Sequence, residues 1–260
     1  IIKPYINNGS DLPDNKVNTL YKILTDSMNF RDITTASSKL QSLGFTPGVD
    51  YEKVQHARKL SPSEYTYNSK LGFISLNISL NPDYVLAVAY EYQVIGDTTR
   101  YKVGEFSTDG INEPNALMVK LIKGSVTNTK LPLWNLMMKN VYSIGGYQIS
   151  NKDFRLNILY SNEENGFPSG YISEGLISGQ NLLKVMSLDR LNTFMDPQPD
   201  GVFDFIDNAS VSGGTIESKN GRIYFPVLEP FGSHLRSKIG DKNIADKYCF
   251  DSLYTCTKTI

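Results

Sequence analysis

The sequence predicts an α+β fold, mainly antiparallel β-hairpins with several short helices, arranged in two lobes. Three observations predict it. Short runs rich in Val, Ile, Tyr and Phe alternate apolar with polar residues, the pattern of half-buried strands. Stretches of helical periodicity come between them in an irregular order with no βαβ rhythm, which points away from a parallel sheet. The sixteen tyrosines and twelve phenylalanines in 260 residues favour strands over helices.

Element by element, Asp14 is placed to cap a helix whose apolar face is Val17, Leu20, Tyr21 and Leu24. Asp32 is placed to cap a second, with Ile33, Ala36, Leu40 and Leu43 on one face and Gly44 as terminator. The turn 46–52 then leads into a first hairpin. A β-branched and aromatic run, 84–94, pairs with 100–107 across Ile-Gly-Asp-Thr-Thr. The polar, turn-rich stretch 107–116 marks the lobe boundary, giving an N-terminal helix-helix-hairpin lobe over 1–109 and a C-terminal α+β lobe over 115–260. In the second lobe, 117–124 reads as a strand and 131–146 as a short helix with Pro132 in its first turn and Gly145 at its end. Next come a strand at 153–161, a helix at 181–192, an Asp-rich loop, a second hairpin and a helical C-terminus over 241–258.

The two hairpins echo each other. "TYNSKLGFISL", Thr66–Leu76, and "TIESKNGRIYF", Thr215–Phe225, share Thr, Ser, Lys, Gly and Ile in register. Gly72 and Gly221 sit where the turn needs a positive φ, which glycine adopts without steric cost. Their separation of 149 positions in the sequence is too long for a solenoid repeat, so the reading is one structural device used twice.

Composition narrows the function. A net charge of −1 with no charge block points to no nucleic acid and no anionic membrane surface. With 40% hydrophobic and 20% charged residues the chain can build a core. It holds no apolar run near the roughly 18 residues of a spanning helix, although barrel strands would leave a much weaker mark. It opens "IIKPYINN" without an initiator Met and ends "CTKTI", which reads as a segment cut from a longer polypeptide. Cys249 and Cys256 fall in one helical-looking stretch; a continuous helix would hold their Cα atoms about 10 Å apart, so two free thiols are expected.

No catalytic set emerges. His56 and His234 lie in dissimilar contexts and read as surface or partly buried side chains, and no G-x-S-x-G elbow, H-E-x-x-H, C-x-x-C pair or P-loop occurs. Trp134, Met137, Met138 and Val141 share a helical face that reads as core packing. Only "DPQPDGVFDFID" has ligand logic. Set against a calcium loop, Asp196, Gln198, Asp200, Gly201, Asp204 and Asp207 take the first, third, fifth, sixth, ninth and twelfth positions. Asp196, Asp200 and Asp204 are the calcium candidates. Against them stand Pro197 and Pro199, which stiffen the wrap, and an Asp where a bidentate Glu is usual. The other reading is a polar turn entering a strand, with no metal and no other cofactor.

Several longer segments carry a resemblance. "ARKLSPSEYTYNSKLGFISLN", "VLAVAYEYQ" followed by "YKVGEFS", "LPLWNLMMKNVYS", "DPQPDGVFDF" and "NGRIYFPVLEPFGSHL" resemble, in order, the SprA/Sov family of Bacteroidetes. Those are very large outer-membrane proteins of gliding motility and type IX secretion. The resemblance runs from Asp50 to the C-terminus. It implies a soluble, extracytoplasmic portion of a β-barrel translocon in the outer membrane, without catalytic residues. The partners it implies are other envelope proteins of the secretion system or secreted cargo. The alternative from a different class is a calcium-stabilised surface-binding module, an adhesin or glycan-binding domain.

Overall fold

In the computed structural model the chain divides into two compact units, Ile1–Met137 and Met138–Ile260. Residues 7, 9, 11–26, 28–69, 72–161, 166–208, 210 and 213–255 are described. Both units mix short helices with short antiparallel strands, so the class is α+β. The units part between Met137 and Met138, and the turn-rich stretch 107–116, read from the sequence as the boundary, lies inside the first. The chain beyond that stretch turns back into the same unit, where Lys120–Lys123 pairs with Leu86–Val88 and Glu105 N donates to Met118 O at 2.9 Å. Among the described residues, no helix is long and apolar enough to cross a membrane.

In the first unit, α1 (Leu20–Thr25), α2 (Met28–Arg31) and α3 (Ala36–Ser42) precede six strands: β1 (Tyr65–Asn68), β2 (Phe73–Leu76), β3 (Leu86–Val88), β4 (Tyr90–Gln93), β5 (Arg100–Val103) and β6 (Lys120–Lys123). They form three two-stranded sheets, β1-β2, β3-β6 and β4-β5. Asp14 does not cap α1. Its carboxylate accepts from Lys16 N at 2.7 Å, and Asn15 is tied to the end of β5, its side-chain amide exchanging bonds of 2.8 and 3.0 Å with the backbone of Gly104. That tie delays the helix until Leu20, whose N–H bonds Asn18 Oδ1. Asp32 likewise closes a turn on Thr34 ahead of α3 rather than capping it. Gly44 ends α3 as the sequence indicated, at φ +82°, with Phe45 N bonded back to Leu40 O at 3.0 Å. The run 84–94 is not one strand. It splits at Ala89, with β3 pairing with β6 and β4 with β5. Gly104 packs there, where a Cβ would stand 3.1 Å from the Ala89 Cβ.

Among the described residues of this unit, the buried apolar side chains are Ala36, Phe45 and Val103. Its centre is polar. Glu105, 3% exposed, accepts from both terminal nitrogens of Arg31 at 2.5 and 3.1 Å, from the Tyr21 hydroxyl at 2.7 Å and from Met118 N at 2.8 Å. One carboxylate thus joins α1, α2 and the approach to β6. Burial alone would raise its pKa. The Arg31, Met118 and Tyr21 donors outweigh burial and hold it below the ordinary glutamate value.

In the second unit, β7 (Val141–Ser143), β9 (Arg222–Tyr224) and β8 (Ile216–Glu217) form an antiparallel sheet in the order β7-β9-β8. Around it lie α4 (Leu182–Val185), α5 (Leu235–Ile239), α6 (Lys242–Tyr248) and α7 (Ser252–Thr255). The core gathers Ile172, Leu183, Met186, Leu188, Ile216 and Ile239, each almost fully buried. The segment 131–146 is not a helix with an end at Gly145. Pro132–Leu136 is a short 3-10 turn and Val141–Ser143 joins the sheet, while Met137 is exposed. Over 153–161, Phe154, Leu156, Ile158 and Tyr160 are half-buried and the residues between them exposed, so the alternation is real. The segment nevertheless joins no ladder, and only Tyr160 bridges, to Ser169. The 181–192 helix is a single turn, α4, capped by Asn181 and ended by Ser187 at φ +60°. Asp241 caps α6 through bonds to Asn243 N and Ile244 N. The C-terminal helix breaks at Cys249, where ψ is 141°. The expected pairing state of Cys249 and Cys256 falls on a residue, Cys256, outside the described residues.

The two hairpins match in register. Asn68 faces Phe73 across one turn and Glu217 faces Arg222 across the other. Gly72 (φ +69°) and Gly221 (φ +58°) occupy equivalent positive-φ positions. Their surroundings differ: Tyr67 is 59% exposed, whereas its counterpart Ile216 is 0% exposed. The same local device serves once at the surface and once in a core.

Candidate functional site: the clasped aspartate loop

The Asp-rich loop hangs from the core of the second unit by two buried carboxylates. Asp189 follows Leu188 at the end of the apolar α4 region and is 2% exposed; Asp204, between Phe203 and Phe205, is 8% exposed. A carboxylate set in an apolar run is drawn inside with its neighbours and must find donors there. Each finds them in the backbone next to the other. Asp189 accepts from Asp200 N and Gly201 N, both at 3.0 Å. Asp204 accepts from Arg190 N at 2.8 Å and Leu191 N at 3.2 Å, and its own N–H donates to Leu188 O at 2.9 Å. The result is a reciprocal clasp across the neck of the loop. Gly201 supplies the bend at φ +86°. Burial raises the Asp204 carboxyl above the ordinary aspartate value; the Arg190 and Leu191 N–H groups act against the rise and the Asp189 charge adds to it.

The calcium candidates are not assembled as a ligand set. Asp196 is exposed, with its backbone carbonyl accepting from Asn192 N at 3.0 Å and Gln198 N at 2.7 Å. Asp200 closes a local turn, its Oδ1 accepting from Val202 N at 3.0 Å. Both Asp204 oxygens accept from backbone N–H groups. Asp207, at the twelfth position, accepts from the Ser218 hydroxyl. Among the described residues, no group of three or more His, Cys, Asp or Glu is gathered closely enough to hold a metal ion.

Beyond the clasp, the loop presents apolar side chains to solvent. Asn192 Oδ1 accepts from Phe194 N at 2.9 Å and Asp196 N at 3.0 Å, and Met195 N donates to Asn192 O at 2.9 Å. This tight turn leaves Phe194 83% and Met195 62% exposed, with Met195 at φ +66°. A long side chain in that region is strained and persists only where its surroundings hold it. The sequence reading missed Asp189, Asn192 and this tip. For Asp189 the available signal was a lone acid after Leu-Leu-Lys-Val-Met-Ser-Leu.

His56 is exposed, and His234 Nε2 lies 2.9 Å from Val185 O. The acids of the C-terminal helices are paired: Arg236 bonds Asp246 and Asp251, both at 2.5 Å, and Lys247 bonds Glu174 at 2.9 Å. Comparison with known proteins finds no family model that matches the chain and no curated protein that matches it.

Proposed function

We propose that this chain is a non-enzymatic structural and interaction module of an outer-membrane protein-secretion translocon serving type IX secretion and gliding motility. It works on the extracytoplasmic side of the cell envelope, and its partners are other envelope proteins of that system or secreted cargo. The ordered resemblance from Asp50 onward suggests the system. One observation carries the interaction role. The buried acids Glu105, Asp189 and Asp204 are all spent on holding the chain together, while Ile95, Phe167, Leu176, Phe194 and Leu228 stand at least three-quarters exposed. Side chains of that kind gain free energy from partner contact rather than from bond-making chemistry.

The test is affinity capture from envelope extract, with the folded chain as bait and the heat-denatured chain as control. Enrichment of secretion components or their cargo by the folded bait alone is the expected outcome. Equal capture by both baits, or enrichment of neither, would overturn the proposal.

A further inference from the structure

We infer that residues 190–202 form a clasped loop that opens locally, as one unit, while the core of the second unit stays folded. Three observations converge on this. The neck is closed by the side-chain carboxylates of Asp189 and Asp204 on the backbone N–H groups of Arg190, Leu191, Asp200 and Gly201, with one backbone bond beside them, Asp204 N to Leu188 O at 2.9 Å. Between those points the residues from Asn192 to Val202 are exposed or half-exposed, so opening the loop costs little apolar burial. The tip stores strain, since Met195 is held at φ +66° by the Asn192 turn and relaxes once that turn is released. An element with few buried apolar contacts opens at lower free energy than the core it hangs from. The device keeps Phe194 and Met195 displayed in one conformation, and opening withdraws that display. It acts whatever the partner is, so its failure would leave the proposed function standing.

Limited chymotrypsin digestion of the full chain, with products read by mass spectrometry, tests this. The bond after Phe194 reports on the loop. The bond after Tyr142, whose ring packs on Phe225 and Phe231 at 5.4 Å, reports on the core. Asp189→Asn weakens the clasp and Asn192→Ala removes the turn that holds the tip. Each is expected to raise cleavage after Phe194 by about tenfold, as losing one or two hydrogen bonds implies, with cleavage after Tyr142 unchanged. A rise at Tyr142 in step with Phe194 in both variants would show that loop and core open together and would overturn the inference. So would cleavage after Phe194 at the native rate in both. If Asp189→Asn alone cuts both bonds together, the surface variant Asn192→Ala decides.

Discussion

Replacing Gly221 by Ala should damage the protein far more than the same change at Gly72, although the two glycines sit at equivalent positions of matched hairpins. Backbone conformation is common to both: φ +58° and +69°, where an L side chain costs about 1–2 kcal/mol. Space is not. At Gly72 an added Cβ meets nothing within 4 Å, whereas at Gly221 it would lie 1.9 Å from the carbonyl oxygen of Gly146 and 2.8 Å from its carbonyl carbon. That neighbour is backbone and cannot rotate away. Separating the two chains strains the bonds that tie them, Ile144 N to Gly221 O at 2.9 Å, Ile149 N to Ser218 O at 2.9 Å and Gln148 N to Lys219 O at 3.3 Å. With each bond worth about 1 kcal/mol, Gly221→Ala should cost about 4–5 kcal/mol in all and Gly72→Ala about 1–2 kcal/mol. Urea denaturation followed by circular dichroism reads both. Equal midpoint shifts for the two variants would refute the argument that close backbone approach, and not turn conformation alone, selects glycine at 221.

In the first unit, Glu105→Ala should cost about 3 kcal/mol, because it leaves Arg31 and the Tyr21 hydroxyl without their buried acceptor; a change below 1 kcal/mol in urea would contradict this. Because the Glu105 pKa is lowered in the fold, its contribution is complete above the ordinary glutamate value and is lost as pH falls through the folded value. Native protein should therefore lose stability in acid more steeply than Glu105→Gln, and parallel pH profiles would count against the pairing. In the second unit the Tyr142 and Tyr254 hydroxyls lie 3.0 Å apart, and burial, with Tyr254 as the next cause, pushes the Tyr142 phenol well above its usual range. A raised folded pKa gives stability that is complete below the unfolded phenol value of about 10 and is lost as pH climbs beyond it. Tyr142→Phe should flatten that alkaline loss, and an unchanged profile would assign it elsewhere.

What the sequence made legible was local. The hairpin turns, Gly44 as a helix end and the alternation at 153–161 all follow from rules spanning a few residues. What failed depended on distant partners. Asp14 looks like a helix cap until Asn15 is bound to Gly104, 89 positions away. The run 84–94 looks like one strand until its halves choose different neighbours. The alternation from Phe154 to Tyr160 predicted burial correctly and pairing wrongly, since periodicity reports which side faces a core and not whether another strand lies alongside. The Asp-rich loop was visible as a feature, but its chemistry was hidden because the decisive acid, Asp189, lies outside it.

A thermal melt in millimolar calcium against the same sample in EGTA separates a backbone clasp from a metal site most directly, because the Asp189 and Asp204 carboxylates are engaged by backbone N–H groups. A calcium ion bound at 100 times its Kd would add about 2.7 kcal/mol, a shift of several degrees for a unit of this size. The two melting curves are expected to coincide. A calcium-dependent rise of several degrees would contradict this, make Asp196, Asp200 and Asp204 ligands after all, and put a calcium-stabilised surface-binding module in place of the translocon scaffold.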